Sequence, residues 1–155
     1  MSYFEQLAKK YKAVLYFCLA FAGIAFYLVY GNWVRPLIVE KDEKLLQLIV
    51  VIVAGISVIA GFQQFNKNVI ELRSSLIKAP EKLKEYRKQL VKWWSALAFA
   101  VVLSLTGFLL ATTYSFFILA CFIVGILGMF MPRKATIGLL LKLSEQEMLL
   151  LDKEV

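Results

Sequence analysis

The sequence predicts an all-α integral membrane protein: a four-transmembrane-helix bundle with a helical cytoplasmic extension between spans two and three. Three observations carry that expectation. Of the 155 residues, 61% are apolar and 19% charged, against about 45–50% and about 25% in ordinary soluble domains. Mean hydropathy is +0.72, more apolar surface than a soluble fold can hide while leaving roughly a third of its chain surface exposed. Four stretches free of Asp, Glu, Lys and Arg reach or approach the ~20 residues that cross about 30 Å of hydrocarbon. Disorder is excluded by the same composition, and a disulfide-stapled domain by two lone cysteines.

Taken in order, the chain reads as a single membrane domain over 1–155. Ser2 with Glu5 forms a capping box, and Tyr3, Phe4, Leu7 and Tyr11 recur at helical spacing, so a short interfacial helix leads into span one, 13–30. That run is too long for a signal peptide and ends in Tyr27, Tyr30 and Trp33 rather than a small-residue cleavage site. A charged outer loop precedes span two, 45–65. The segment 66–92 holds one turn signal, Ala79–Pro80, and Pro80 suits the first position of a helix with Glu81 at its positive end.

Val69, Leu72 and Leu76 precede that turn at helical spacing. After it, Leu83, Tyr86, Leu90, Trp93, Leu97, Ala100, Ser104, Gly107 and Ala111 follow gaps of three and four without a break, a heptad seam running into span three, 93–111. Spans two and three are therefore the membrane halves of two long helices. Thr112–Thr113 connects to span four, 114–131, and Pro132 opens a tail, 132–155. There Ile137–Leu143 is apolar, and Ser144 with Glu147 forms a second capping box.

Basic residues set the orientation. The N-terminal segment holds Lys9, Lys10 and Lys12, the middle segment eight from Lys67 to Lys92, and the tail Arg133, Lys134, Lys142 and Lys153. The opposite side holds only Arg35, Lys41 and Lys44, balanced by Glu40, Asp42 and Glu43. The positive-inside rule puts both termini in the cytoplasm, with a bacterial inner membrane as the expected location. Tyr30, Trp33 and Tyr114 form the outer aromatic belt and Tyr11, Trp93 and Trp94 the inner one. The net charge of +7 is thus directed at anionic lipid headgroups rather than nucleic acid, for which no recognition motif exists.

Catalytic chemistry is sparse. Histidine is absent, which removes the commonest metal ligand and general base. Cys18 and Cys121 differ in expected depth by roughly 7–8 Å at 1.5 Å per residue, too far for a disulfide, so both read as packing residues. No ionisable group lies inside a span, unlike proton-coupled transporters and pumps. No phosphate loop, nucleophile elbow or zinc motif occurs, so no cofactor or metal is expected. A lipid-modifying enzyme would have to recruit Arg35, Glu40 and Asp42, and a carboxylate-capture ligand would rest on Glu154–Val155 alone.

Positive signals come from small residues at helical spacing. These are Cys18, Ala22 and Ala25; Ala54, Ser57 and Gly61; Ala100, Ser104 and Gly107; and Cys121, Gly125 and Gly128. Such stripes let helix backbones approach in lipid. The expectation is a closed, non-catalytic bundle serving as a structural, assembly or accessory subunit of a larger complex. The candidate docking surface is Leu72, Leu76, Leu83, Tyr86 and Leu90, to be covered by another protein, a second copy or the chain's own tail at Leu139–Leu143 and Met148–Leu151. A small transporter or channel for a neutral solute is the alternative. Cysteines placed at Asp42 and Lys84 should label with an impermeant maleimide from opposite sides of the membrane. Labelling of both from outside would overturn the charge count.

Overall fold

The computed structural model describes residues 2–38 and 40–152, apart from the side chains of Glu40, Lys41 and Leu150. Lys153, Glu154 and Val155 of the tail lie outside it, as do the Glu40 and Lys41 side chains of the outer charge cluster. The helices are α1 (Tyr3–Tyr30), α2 (Glu40–Ser74), α3 (Ala79–Ala111), α4 (Tyr114–Met129), α5 (Lys134–Leu141) and α6 (Glu145–Met148), closed by a 3-10 turn, Leu149–Asp152. No strand occurs among the described residues.

Both expected capping boxes form. The Glu5 amide donates to Ser2 Oγ at 3.2 Å while the Glu5 carboxylate accepts from the Ser2 amide at 2.8 Å, so two orphan donors are satisfied at the start of α1. Ser144 and Glu147 repeat the arrangement at α6. Hydrogen bonds from the Ser144 backbone and hydroxyl hold the Glu147 carboxyl below the usual carboxylate range. That cap is intact at neutral pH and is lost as pH falls through the lowered value.

Ring and hydrogen-bond contacts fix the helix directions. Ser57 donates to the Ala96 carbonyl at 3.4 Å, Phe62 and Trp93 rings lie 5.8 Å apart, and Asn68 donates to Gln89 at 2.7 Å. The residue numbers climb on α2 as they fall on α3, so the two are antiparallel along their length. Phe108 meets Phe117 at 5.3 Å and Trp93 meets Phe130 at 5.6 Å, which makes α4 antiparallel to α3 as well. Tyr11 against Trp94, with Phe26 against Phe117 at the other end, sets α1 parallel to α3. The order is up, down, up, down, with α3 packed by α1, α2 and α4 while α1 and α2 hardly touch.

All nine positions of the heptad seam from Leu83 to Ala111 are buried. A second buried row, Trp94, Val101, Leu105 and Phe108, lines another side of α3. Its membrane segment is 50% buried, against 17% in α1 and 11% in α2, and that contrast makes α3 the axis. The outer loop is tied to the same axis, because the Leu37 amide donates to the Leu110 carbonyl at 2.9 Å and Thr113 to Glu43 at 2.6 Å. Thr112 ends α3 with φ at 56°, a left-handed cap that a β-branched residue adopts at a cost.

α1, α2 and α3 are each long and apolar enough to cross a membrane. α4 is shorter than the 114–131 expectation: its 16 residues span about 24 Å, short of about 30 Å. It stops at Met129 because Pro132 lacks an amide hydrogen and holds the residue before it extended. α5 then departs at 75°, and α4 reaches membrane length only with α5 counted as part of one bent span. α5 packs on the end of α2 and the 3-10 turn on α1.

Gly107 and Gly61 are the close approaches of the bundle. A Cβ on Gly107 would lie 2.8 Å from the Phe116 ring, and one on Gly61 would lie 2.9 Å from the Trp93 ring. Gly107→Leu should therefore destabilise the protein by roughly 1–3 kcal/mol through overpacking, read as a lowered melting temperature in detergent. Unchanged melting would show that the α3–α4 contact is loose.

Candidate functional site

The densest polar geometry lies at the end of the bundle where the α2–α3 hairpin extends past its apolar segments. Tyr3 is fully buried there, and its hydroxyl donates to the Leu83 carbonyl at 2.6 Å. The Arg87 guanidinium sits 5.8 Å from the centre of the Tyr3 ring and donates to the Gln6 side chain at 2.9 Å. A cation over an aromatic face is favourable, so the pair clamps the first turn of α1 to α3. At the same level of α3, Asn68 of α2 donates to Gln89 at 2.7 Å, and Gln89 and Lys88 donate to Glu85 within α3 at 2.8 and 3.0 Å. Lys88 first and Gln89 second hold the Glu85 carboxyl below its ordinary range. Lys134 of α5 pairs with Asp152 and lies 5.4 Å from the Phe4 ring centre, tying the tail to the same node.

Below the node, Tyr11 reaches the Leu127 carbonyl at 3.3 Å and stacks obliquely on Trp94. Trp93 and Trp94 are buried, and their indole N–H groups have no hydrogen-bond partner among the described residues. Serine and threonine hydroxyls of the apolar segment of α3 turn onto their own helix: Ser104 onto Ala100 and Thr106 onto Val102, each at 2.8 Å. Among the described residues no group of three His, Cys, Asp or Glu gathers to hold a metal. Cys18 is buried, Cys121 exposed, and both are free thiols. Among the described side chains the outer carboxylates do not converge either, since Glu43 accepts from Thr113 while Asp42 and Arg35 are exposed; Glu40 lies outside them.

The small-residue positions divide. Ala54, Ala100, Ser104 and Gly107 are buried, and Ala22, Ser57 and Gly61 are half-buried against neighbours. Gly125 and Gly128 lie on the outer surface, with no atom within 4 Å of the place a Cβ would take. The packed face of α4 is instead Phe116, Ala120, Ile123 and Leu127. The docking candidates divide too. Leu72, Leu83, Tyr86 and Leu90 are buried within the chain, and Leu76 alone is fully exposed. The apolar seam of the hairpin is therefore no open surface: the first turns of α1 cover it at Leu83, and Ile137 of α5 shares a wall with Leu90. Tyr3 was legible as part of an amphipathic turn, but nothing in its spacing pointed to Leu83.

Compared with known proteins, the chain matches no family model, no curated protein and no solved structure. The contacts of Tyr3 with Leu83 and Arg87 make this node a clamp that closes one end of the bundle. Tyr3→Phe should cost about 1 kcal/mol for the lost hydrogen bond, and Leu83→Ala about 2–5 kcal/mol for the cavity. Both are measured by denaturation in detergent. A Leu83→Ala protein as stable as the parent would show the seam to be a free surface after all.

Proposed function

We propose that the chain is a non-catalytic membrane protein of four spans with both termini in the cytoplasm, acting as a structural, assembly or accessory subunit of a larger complex in a plasma membrane. Helices apolar enough to span a bilayer mark it as a membrane protein. A fourth crossing is supported by α4 together with Phe130 and Met131, an uncharged run lying antiparallel to α3. The orientation is supported by the contacts of Tyr11 with Trp94 and Leu127, which bring the basic N-terminus, the polar hairpin end and Arg133 to one end of the bundle. Basic residues gather on the cytoplasmic side.

The observation that carries the subunit role is the outward stripe on α4. Cys121, Gly125 and Gly128 follow i, i+4, i+7 spacing on an exposed face, with open space over both glycines. Lipid gains little from a flat glycine face, whereas a second helix gains close backbone approach. A neutral-solute path has less to stand on, since the α3 hydroxyls are spent on their own backbone.

The test is a paired substitution, Gly125→Leu with Gly128→Leu, in protein crosslinked in native membranes and then purified in mild detergent. The expected result is loss of a stoichiometric neighbour, another subunit or a second copy, with melting of the chain itself unchanged. A complex that survives the change would move the interface elsewhere. A parent chain that purifies without any neighbour would end the subunit reading.

A further inference from the structure

Between α2 and the α4–α5 bend lies a crevice of about 630 Å³. α2 and α4 flank α3 and meet at the bend, where the Phe130 ring lies 6.1 and 6.4 Å from those of Phe62 and Phe65, so α3 forms the floor, through Tyr86 and Leu90. The walls are aromatic: Phe62, Phe65 and Phe130. One rim is polar, built from Asn66, Arg133 and Thr136. Among the described residues neither the Arg133 guanidinium nor the Asn66 amide has a hydrogen-bond or ion-pair partner. That rim stands where both apolar segments end, at Phe65–Asn66 on one side and Pro132–Arg133 on the other.

We propose that this crevice holds one anionic phospholipid, with its phosphate on Arg133 and Asn66 and an acyl chain against Phe62, Phe65 and Phe130. The proposal rests on the membrane reading above. The planar guanidinium offers paired donors that match phosphate oxygens, and the amide and hydroxyl beside it add further donors. A free phosphate would leave the aromatic walls facing water, whereas a lipid covers them. The rim also sits at headgroup depth, because it coincides with the ends of the apolar runs. Arg133 supplies the charge complementarity, and the neighbouring cation Lys134 is already taken by Asp152.

Tryptophan quenching by brominated lipid tests this in the full chain. Trp33→Phe removes the outer fluorophore, leaving Trp93, whose ring lies 5.8 Å from Phe62 and 5.6 Å from Phe130, and its neighbour Trp94. The protein is reconstituted into phosphatidylcholine vesicles carrying a minor fraction of brominated phosphatidylglycerol or of brominated phosphatidylcholine. The anionic lipid should quench about five-fold more effectively, the factor one cation confers near an anionic headgroup. Arg133→Gln should abolish that preference, as should Thr136→Phe, which fills the rim. Lys9→Gln removes the same charge from α1 and should keep it. Equal quenching by the two lipids, a preference that survives Arg133→Gln, or one lost equally in Lys9→Gln would overturn the lipid site and leave the membrane reading standing. Quenching by neither lipid would overturn both.

Discussion

In hydrocarbon, one apolar side chain gains nothing by leaving lipid for another, so helices associate only where their surfaces fit closely enough to gain dispersion contacts. α3 is where this chain meets that constraint. It buries two rows of residues at once, Leu97, Ala100, Ser104 and Gly107 on one side and Trp94, Val101, Leu105 and Phe108 on another. Small residues bring neighbouring backbones near, and the rings of Trp93 and Phe116 fill the space opposite Gly61 and Gly107. Without α3, the faces of α1, α2 and α4 that now meet it would have only lipid to touch.

The polar end of the bundle obeys different physics. There Tyr3, Leu7, Leu83, Leu90, Ile137, Leu141 and Leu151 collect into the same continuous core as the apolar segments. Hydrogen bonds and the Arg87–Tyr3 contact then give this part a specific register that apolar burial alone leaves loose. One helix thus serves both parts, held by shape along its apolar segment and by burial plus polar contacts at its polar end.

What could be read from the residues follows the same division. The seam on α3 was legible because Lys, Glu and Arg between Leu83 and Trp93 mark its polar side and fix the phase, which the helix then carries into lipid. In α4 no polar residue marks a side, so an inward stripe could not be told from an outward one, and the buried phase belongs to Phe116, Ala120, Ile123 and Leu127 rather than to the glycines. Pro132 marked the end of the fourth apolar run, but neither the helix's stop at Met129 nor the 75° turn that follows was visible. The clamp on Leu83 was out of reach for another reason: Tyr3 stands 80 residues away, and one hydrogen bond across that distance leaves no periodic trace. Whether the tail, a second copy or another subunit covers the hairpin therefore stayed open in the sequence, and the first turns of α1 were not singled out for that place.

The central place of α3 also bears on how the chain is assembled during synthesis. α1 and α2 emerge from the ribosome first, yet they hardly touch each other and share no packed face. They enter the bilayer as separate, lipid-solvated helices, and the buried edge of Tyr3 has nothing to grip until residues beyond Leu83 have been translated. In the finished fold α3 is the element against which helices on both sides of it in the chain are packed. Until α3 is present, α1 and α2 have no common packed surface to hold them together.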